Sequence, residues 1–318
     1  MDLRQFAEIP LRRKLHHLVV HVADESAGGL PLPRYQAIGA ELGHLSWLDL
    51  VGDAPLSRPD LPDLAAAFDV DLLTVCSAAT AAEPVVDAAR ALRQRVPAEL
   101  TIVLRLDGLD RTHDALHGPG SWDRVWRAFD GLRGVPDLRV EVRTALQARN
   151  VGELLALSEF IHSQAPDGHV VTLSSLGDDD AAAPTPEELD RLRAPLFAIL
   201  DRYVQDDGRL QSRVRRNFHR LRFETAARTL AEGRQVIPCL AGLSHAVLHG
   251  DGRVAVCELL PPIGSVRRRS WTEVWRGGAL ERQREYIGAG GCHCTDECAM
   301  HDSLVIRPQN LPRLLAGG

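Results

Sequence analysis

The chain has 318 residues, 45% hydrophobic and 25% charged, with a net charge of -6. That is enough apolar material for one large core, and Lys14, the only lysine, leaves no lysine-rich face of the kind that binds nucleic acid. Residues 1–10 carry Asp2, Arg4 and Glu8 rather than a basic segment followed by an apolar run, and no window reaches about 18 uninterrupted apolar residues, so a cytoplasmic protein that avoids membranes is expected.

In chain order, apolar and β-branched runs predict strands at 18–22, 45–51, 70–76, 100–106, 138–143 and 170–174. Segments with i, i+3, i+4 apolar spacing alternate with them at 34–42, 60–68, 84–95, 122–132, 151–162 and 186–203. Ser121 before Trp122-Asp123, and Thr185-Pro186-Glu187-Glu188, are helix-start signals. Six strand and helix units imply parallel strands joined by right-handed crossovers, hence a doubly wound sheet or a β/α barrel. Both place ligands at the C-terminal strand ends. The residues there are Asp24, Gly52 and Asp53, Cys76, Asp107 and Gly108, Thr144 and Ser175.

Residues 206–232 turn basic, with Arg213, Arg215, Arg216, Arg220 and Arg222 close together, and read as a solvated connecting helix or a surface for an anionic partner. Beyond Pro238 the alternation stops. A hairpin is expected around Gly250-Asp251-Gly252, and Ser270 caps a helix running to about Tyr286.

Five of the six cysteines, Cys239, Cys257, Cys292, Cys294 and Cys298, fall in this last part. In a reducing compartment clustered thiols are metal ligands more often than disulfides. Four converging thiolates suit a zinc ion or an iron-sulfur cluster. The spacing C-x-C-x3-C lacks the C-x2-C knuckle of many zinc sites, which favours the cluster and keeps zinc as the alternative. Cys239, Cys257, Cys294 and Cys298 are the expected ligands; Cys292 is the alternative, because Cys294 and Cys298 would lie one helical turn apart.

The block Cys239, Gly252-x4-Cys257, Ile263-Gly264-Ser265-Val266, Ser270-Trp-Thr-Glu-Val-Trp and Cys292-x-Cys294-Thr-x-Glu-Cys298 resembles the auxiliary-cluster domain of radical SAM enzymes, of the SPASM or twitch type. Arg58-Pro59-Asp60-Leu61, Leu106-Asp107-Gly108 with Thr112-His113-Asp114, and Asn150 resemble earlier stretches of that family. The resemblance implies an α/β chain: a partial (β/α)6 TIM-like barrel (residues 1–205), a basic helical connector (206–237) and a small cysteine-rich C-terminal auxiliary-cluster domain (238–318) that holds one [4Fe-4S] cluster. The family's C-x3-C-x2-C loop, which holds the cluster that cleaves S-adenosylmethionine, should follow the first strand. Here that segment, 22–29, contains no cysteine. The family's glycine-glycine-glutamate motif corresponds to Gly52-Asp53-Ala54, without the glutamate. The resemblance therefore implies a protein that does not bind S-adenosylmethionine in the usual mode. A non-catalytic partner of an active radical SAM homologue, or a peptide-binding subunit in peptide or natural-product modification, is the first expectation. An enzyme with a repurposed barrel cavity, or a zinc-stabilised binding protein, is the alternative.

For a repurposed cavity the candidate groups are Asp53, Asp107 and Cys76, against plain readings as loop caps and an inert buried thiol. Leu56 and Leu106 are the side chains that would fill such a cavity in a scaffold. His16, His17 and His21 flank the first strand; with no carboxylate near them in sequence, they read as structural. His293, near the cysteines, could replace one thiolate.

Overall fold

A computed structural model describes residues 15–23, 28–52, 54–78, 84–173, 182–204 and 210–316. Six parallel strands form its main sheet: β1 (His17–His21), β2 (Leu45–Val51), β3 (Val70–Ser77), β4 (Glu99–Arg105), β5 (Leu138–Leu146) and β6 (Gly168–Leu173). Between successive strands run α1 (Leu32–Leu42), α2 (Leu61–Ala65), α3 (Val85–Arg95), then α4 (Asp110–His117) and α5 (Ser121–Leu132), then α6 (Leu154–Ser163). α7 (Pro186–Leu200) follows β6 and starts at the Thr185 and Glu188 capping box. All six expected strands are present, in the expected parallel arrangement. α4 escaped sequence reading because only His113 of its eight residues is buried, so it carries no apolar stripe.

Alternation along the strands sends two kinds of side chain to two faces. Leu18, Val20, Leu48, Leu50, Leu73, Val75, Leu100 and Ile102 pack outward into the core shared with the helices. Leu56 and Leu106 belong to that same core. In register across the other face lie Val19, Asp49, Thr74 and Thr101, a far more polar row.

The C-terminal region continues the sheet. β7 (His245–Leu248) pairs in parallel with β1, His17 opposite His245, and β8 (Arg253–Ala255) and β9 (Gly264–Ser265) add antiparallel strands. The strand order is therefore β6-β5-β4-β3-β2-β1-β7-β8-β9. The expected hairpin exists, with Gly252 at φ +88° supplying the turn. The helix expected from Ser270 to Tyr286 is instead two, α9 (Trp271–Trp275) and α10 (Gly278–Gly288), separated at Gly277. α9 packs onto the front of the chain: Glu41 of α1 accepts the Trp271 and Thr272 amides, at 3.2 and 2.9 Å.

The basic segment is corrected by the structure. α8 (Leu210–Glu232) is not a solvated connector: Leu221, Phe223 and Ala226 are buried in a second core with β6, α7, α11 (Glu297–Val305) and α12 (Leu311–Leu315). Arg222 is itself buried and donates to Glu297 at 2.9 Å, while Arg215 and Arg220 pair with Glu141 and Asp201. Basic residues on one helix read as solvated only because their acidic partners lie 19 to 75 residues away.

Gly250, just past β7, tests the junction between the C-terminal strands and β1. A Cβ there would lie 2.4 Å from that of Ala23 and 3.0 Å from the His21 carbonyl oxygen. Gly250→Ala should destabilise the whole protein by about 1–3 kcal/mol. In thermal melts Gly288→Ala, with nothing within 4 Å of its added Cβ, should match the wild type.

Candidate metal centre

Four cysteines come together from three chain segments. Cys239 precedes β7, Cys257 follows β8 at the end of the hairpin, and Cys292 and Cys294 occupy the turn-free stretch between α10 and α11. Cys239 interacts electrostatically with Cys257 and Cys292, Cys257 with Cys292, and Cys294 with Cys239 and Cys257. Burial pushes the thiol of Cys239 up to about 12 and that of Cys257 up to about 11, and raises Cys292 and Cys294 as well. Such thiols stay protonated unless a cation offsets the charge, which a bound metal does by deprotonating its ligands outright.

Backbone amides already point at this group. Ala241 donates to the Cys239 sulfur at 3.4 Å, and the Leu259, Leu260 and Asp296 amides serve Cys257 and Cys294. Donors aimed at sulfur are a tuning element of iron-sulfur sites. Thiolates gathered in this way suit either a zinc ion or an iron-sulfur cluster.

Cys298 was expected among the ligands through a helical turn shared with Cys294. The structure corrects that geometry: the Asp296 side chain caps α11 by accepting the Ala299 amide at 2.9 Å, so the helix begins only at Glu297 and Cys294 lies outside it. Cys298 packs with Val19, Val51, Val247 and Ala255 on the polar face of the sheet, its sulfur 3.7 Å from Asp49 Oδ2. Asp49, Asp296, Glu297 and Arg143 are the charges that act on it most strongly, and none is a cysteine.

Around Cys298 lies a buried polar cluster that sequence reading missed. α11 presents Glu297, Cys298, His301 and Asp302, the i, i+1, i+4, i+5 face of a helix. Asp302, fully buried, lies 3.3 Å from His16 Nε2, 3.4 Å from His17 Nδ1 and 3.4 Å from His245 Nδ1, and accepts from Ser244 Oγ at 2.8 Å. His17 Nε2 meets Asp49 at 3.1 Å, and Trp47 stacks on its ring at 4.2 Å. Burial alone would lower the His17 pKa; the two carboxylates overcome it and raise it to about 10. These histidines do have carboxylate partners, contrary to expectation, and His21 has one too, Glu258 at 2.8 Å. The partners come from the other end of the chain, and the only usable signal was the position of Asp302 on the helix next to the cysteines.

The barrel-end candidates separate. Asp53, like Asp24 and Ser175, lies outside the described residues. Asp107 is buried with its carboxylate engaged by Arg105, by His117 at 2.8 Å and by the Ala145 amide at 2.7 Å, while Asn150 donates to its carbonyl at 2.7 Å. Despite burial, those donors hold Asp107 below the usual carboxylate range. It ties β4 to α4 and β5 as a cap. Burial pushes the Cys76 thiol up to about 12, which leaves it neutral and unreactive at physiological pH. Arg58 secures the ends of the loop after β1 by donating to the Ala23 carbonyl at 2.6 Å and the Leu30 carbonyl at 3.3 Å.

Comparison with known families points to the same region. Residues 239–299 match SPASM, an iron-sulfur cluster-binding domain. That span contains all five C-terminal cysteines. The fold as a whole is similar to anSMEcpe with bound AdoMet and Kp18Cys peptide, at 11% identity and a TM-score of 0.59, covering 85% of this chain and 83% of that one. It is also similar to SuiB of Streptococcus suis bound to S-adenosylmethionine, at 12% identity and a TM-score of 0.57, covering 87% of this chain and 68% of that one. These likenesses show a radical SAM SPASM-type fold, a β/α barrel with a C-terminal SPASM region. Curated protein sequences yield no match. Among the described residues, no helix is long and apolar enough to cross a membrane.

Two substitutions check these assignments. Asp302→Asn leaves histidines facing an uncharged partner and should cost about 3–5 kcal/mol in denaturant unfolding, the loss typical of breaking a buried ion pair. Asp107, with its folded pKa depressed, contributes stability above its ordinary value near 3.8 that is lost as pH falls through the folded value. Asp107→Asn should therefore lower stability at pH 7 by about 1–3 kcal/mol and flatten the acid limb of the stability profile below about pH 4.

Proposed function

We propose that this protein is an iron-sulfur protein of radical-SAM-like fold that carries one [4Fe-4S] cluster on Cys239, Cys257, Cys292 and Cys294 and does not cleave S-adenosylmethionine by the usual route. The cysteine inventory carries the reading. Outside the SPASM span the chain has only Cys76, which is half-buried on β3 with a thiol pushed up to about 12. Three thiolates in one loop are needed to hold a four-iron cluster with one iron left open, and residues 15–23 and 28–30, the described flanks of the loop after β1, offer none.

The ligand set is read from mutual proximity: these four thiols act on one another, whereas Cys298 faces Asp49. The cluster would supply a redox-active or purely structural centre, and the chain's own contribution is the desolvated cage and its amide donors. The protein's role in this reading is that of a partner, binding an intact radical SAM homologue or a peptide in a modification pathway. The peptide-bound state of one structural neighbour supports that substrate class.

Anaerobically reconstituted protein, reduced with dithionite in the presence of S-adenosylmethionine, should form no 5′-deoxyadenosine above a protein-free control. Robust formation would sink the reading. Cys292→Ala and Cys294→Ala should each lower iron content and the broad absorption near 400 nm. The partner role is tested separately, by whether the chain is retained on an immobilised intact homologue or its peptide; no retention on either removes that part alone.

A further inference from the structure

The cluster proposed above uses four cysteines and leaves Cys298 without a role. Its surroundings supply one. A ring nitrogen of His17, a carboxylate oxygen of Asp49 and Cys298 Sγ all lie within 4.8 Å of one another, and they come from β1, β2 and α11. His17 is fully buried and Asp49 is 3% exposed. The Oδ1 of Asp49 has no hydrogen-bond partner although it is buried, which is costly for a carboxylate oxygen and marks an unmet demand at this point.

The outer contacts have the form that supports a metal ligand. A ligating imidazole commonly presents one ring nitrogen to the metal and has the other held by a carboxylate. Here the Nε2 edge of His17 faces Asp49, and its Nδ1 lies 3.4 Å from an Asp302 oxygen, within ion-pair reach but without a formed hydrogen bond. Trp47 fixes the ring plane from one side by stacking at 4.2 Å, 5° from parallel, and is itself anchored by donating Nε1–H to Thr74 at 2.8 Å. Asp302 is positioned in turn by Ser244 at 2.8 Å.

We infer that His17, Asp49 and Cys298 form a second, mononuclear site for a zinc-class divalent ion, separate from the cysteine cage and clamping α11 onto β1 and β2. One nitrogen, one oxygen and one sulfur donor suit zinc or cobalt rather than magnesium or calcium, which prefer all-oxygen shells. The three protein ligands leave room in the coordination sphere for a water or substrate atom.

The test uses full-length, cluster-loaded protein given Zn2+ and then desalted. Zinc should be retained at about one per chain, the content of one such site, and X-ray absorption at the zinc edge should show one sulfur at about 2.3 Å with nitrogen and oxygen at about 2.0–2.2 Å. His17→Gln and Asp49→Asn should lose that zinc while keeping their iron, and Cys298→Ser should do the same. A zinc shell of four sulfurs overturns the proposal and places zinc in the cysteine cage, which would also contradict the cluster reading. No retained zinc in the wild type overturns the proposal and leaves the cluster reading standing. Loss of iron in Cys298→Ser shows that Cys298 belongs to the cluster, and overturns it as well. If a variant does not fold, the spectrum of the wild type decides.

Discussion

The structure depends on one buried carboxylate. Asp302 has no exposed surface, and a bare charge there would be strongly destabilising. It is tolerable because His16, His17, His245 and Ser244 converge on it from the residue before β1, β1 itself, β7 and the turn before β7. Burial works against its ionised form, yet these neighbours hold its pKa well below the usual carboxylate range. The arrangement works only if α11 lies against the sheet and β7 lies beside β1. Satisfying Asp302 therefore selects the register of the C-terminal region on the barrel.

That constraint also places the cysteines. Once β7 extends the main sheet, the hairpin to β8 returns the chain so that Cys257 comes close to Cys239, and the start of α11 brings the Cys292 and Cys294 stretch to the same place. Leu240 donates its amide to Ser303, one residue past Asp302, at 3.1 Å, so the Cys239 segment is tied to the same helix. The cage is thus the outer side of an assembly whose inner side is the histidine and carboxylate cluster. Cys298 belongs to the inner side because Asp296 starts the helix two residues before it.

Much of the fold was legible in the sequence because strand and helix periodicity are local. Every one of the six parallel strands showed as a β-branched apolar run, and Thr185 and Ser270 marked their helices through capping boxes that the structure contains. What was not legible is pairing over long separations. His17 is served by Asp302 besides Asp49, Arg222 by Glu297, and β7 joins β1 from more than 200 residues away. No local pattern encodes those contacts. The cysteine region could be found by composition, whereas the placement of Cys298 turned on a single capping residue, Asp296. Asp107, at a strand end, read from sequence either as a cavity carboxylate or as a loop cap, and only the long-range contacts of its carboxylate with His117 and Ala145 show how it is engaged.

The central claim is that the only four-iron centre sits in the C-terminal cysteine cage and that none with an open iron is present. Mössbauer spectroscopy of protein loaded anaerobically with 57Fe tests it most directly, alongside iron and sulfide analysis. The account predicts about four iron and about four sulfide per chain, the content of one [4Fe-4S] cluster, with a spectrum unchanged by S-adenosylmethionine. About eight iron per chain, or a distinct iron site whose signal shifts when S-adenosylmethionine is added, would contradict it.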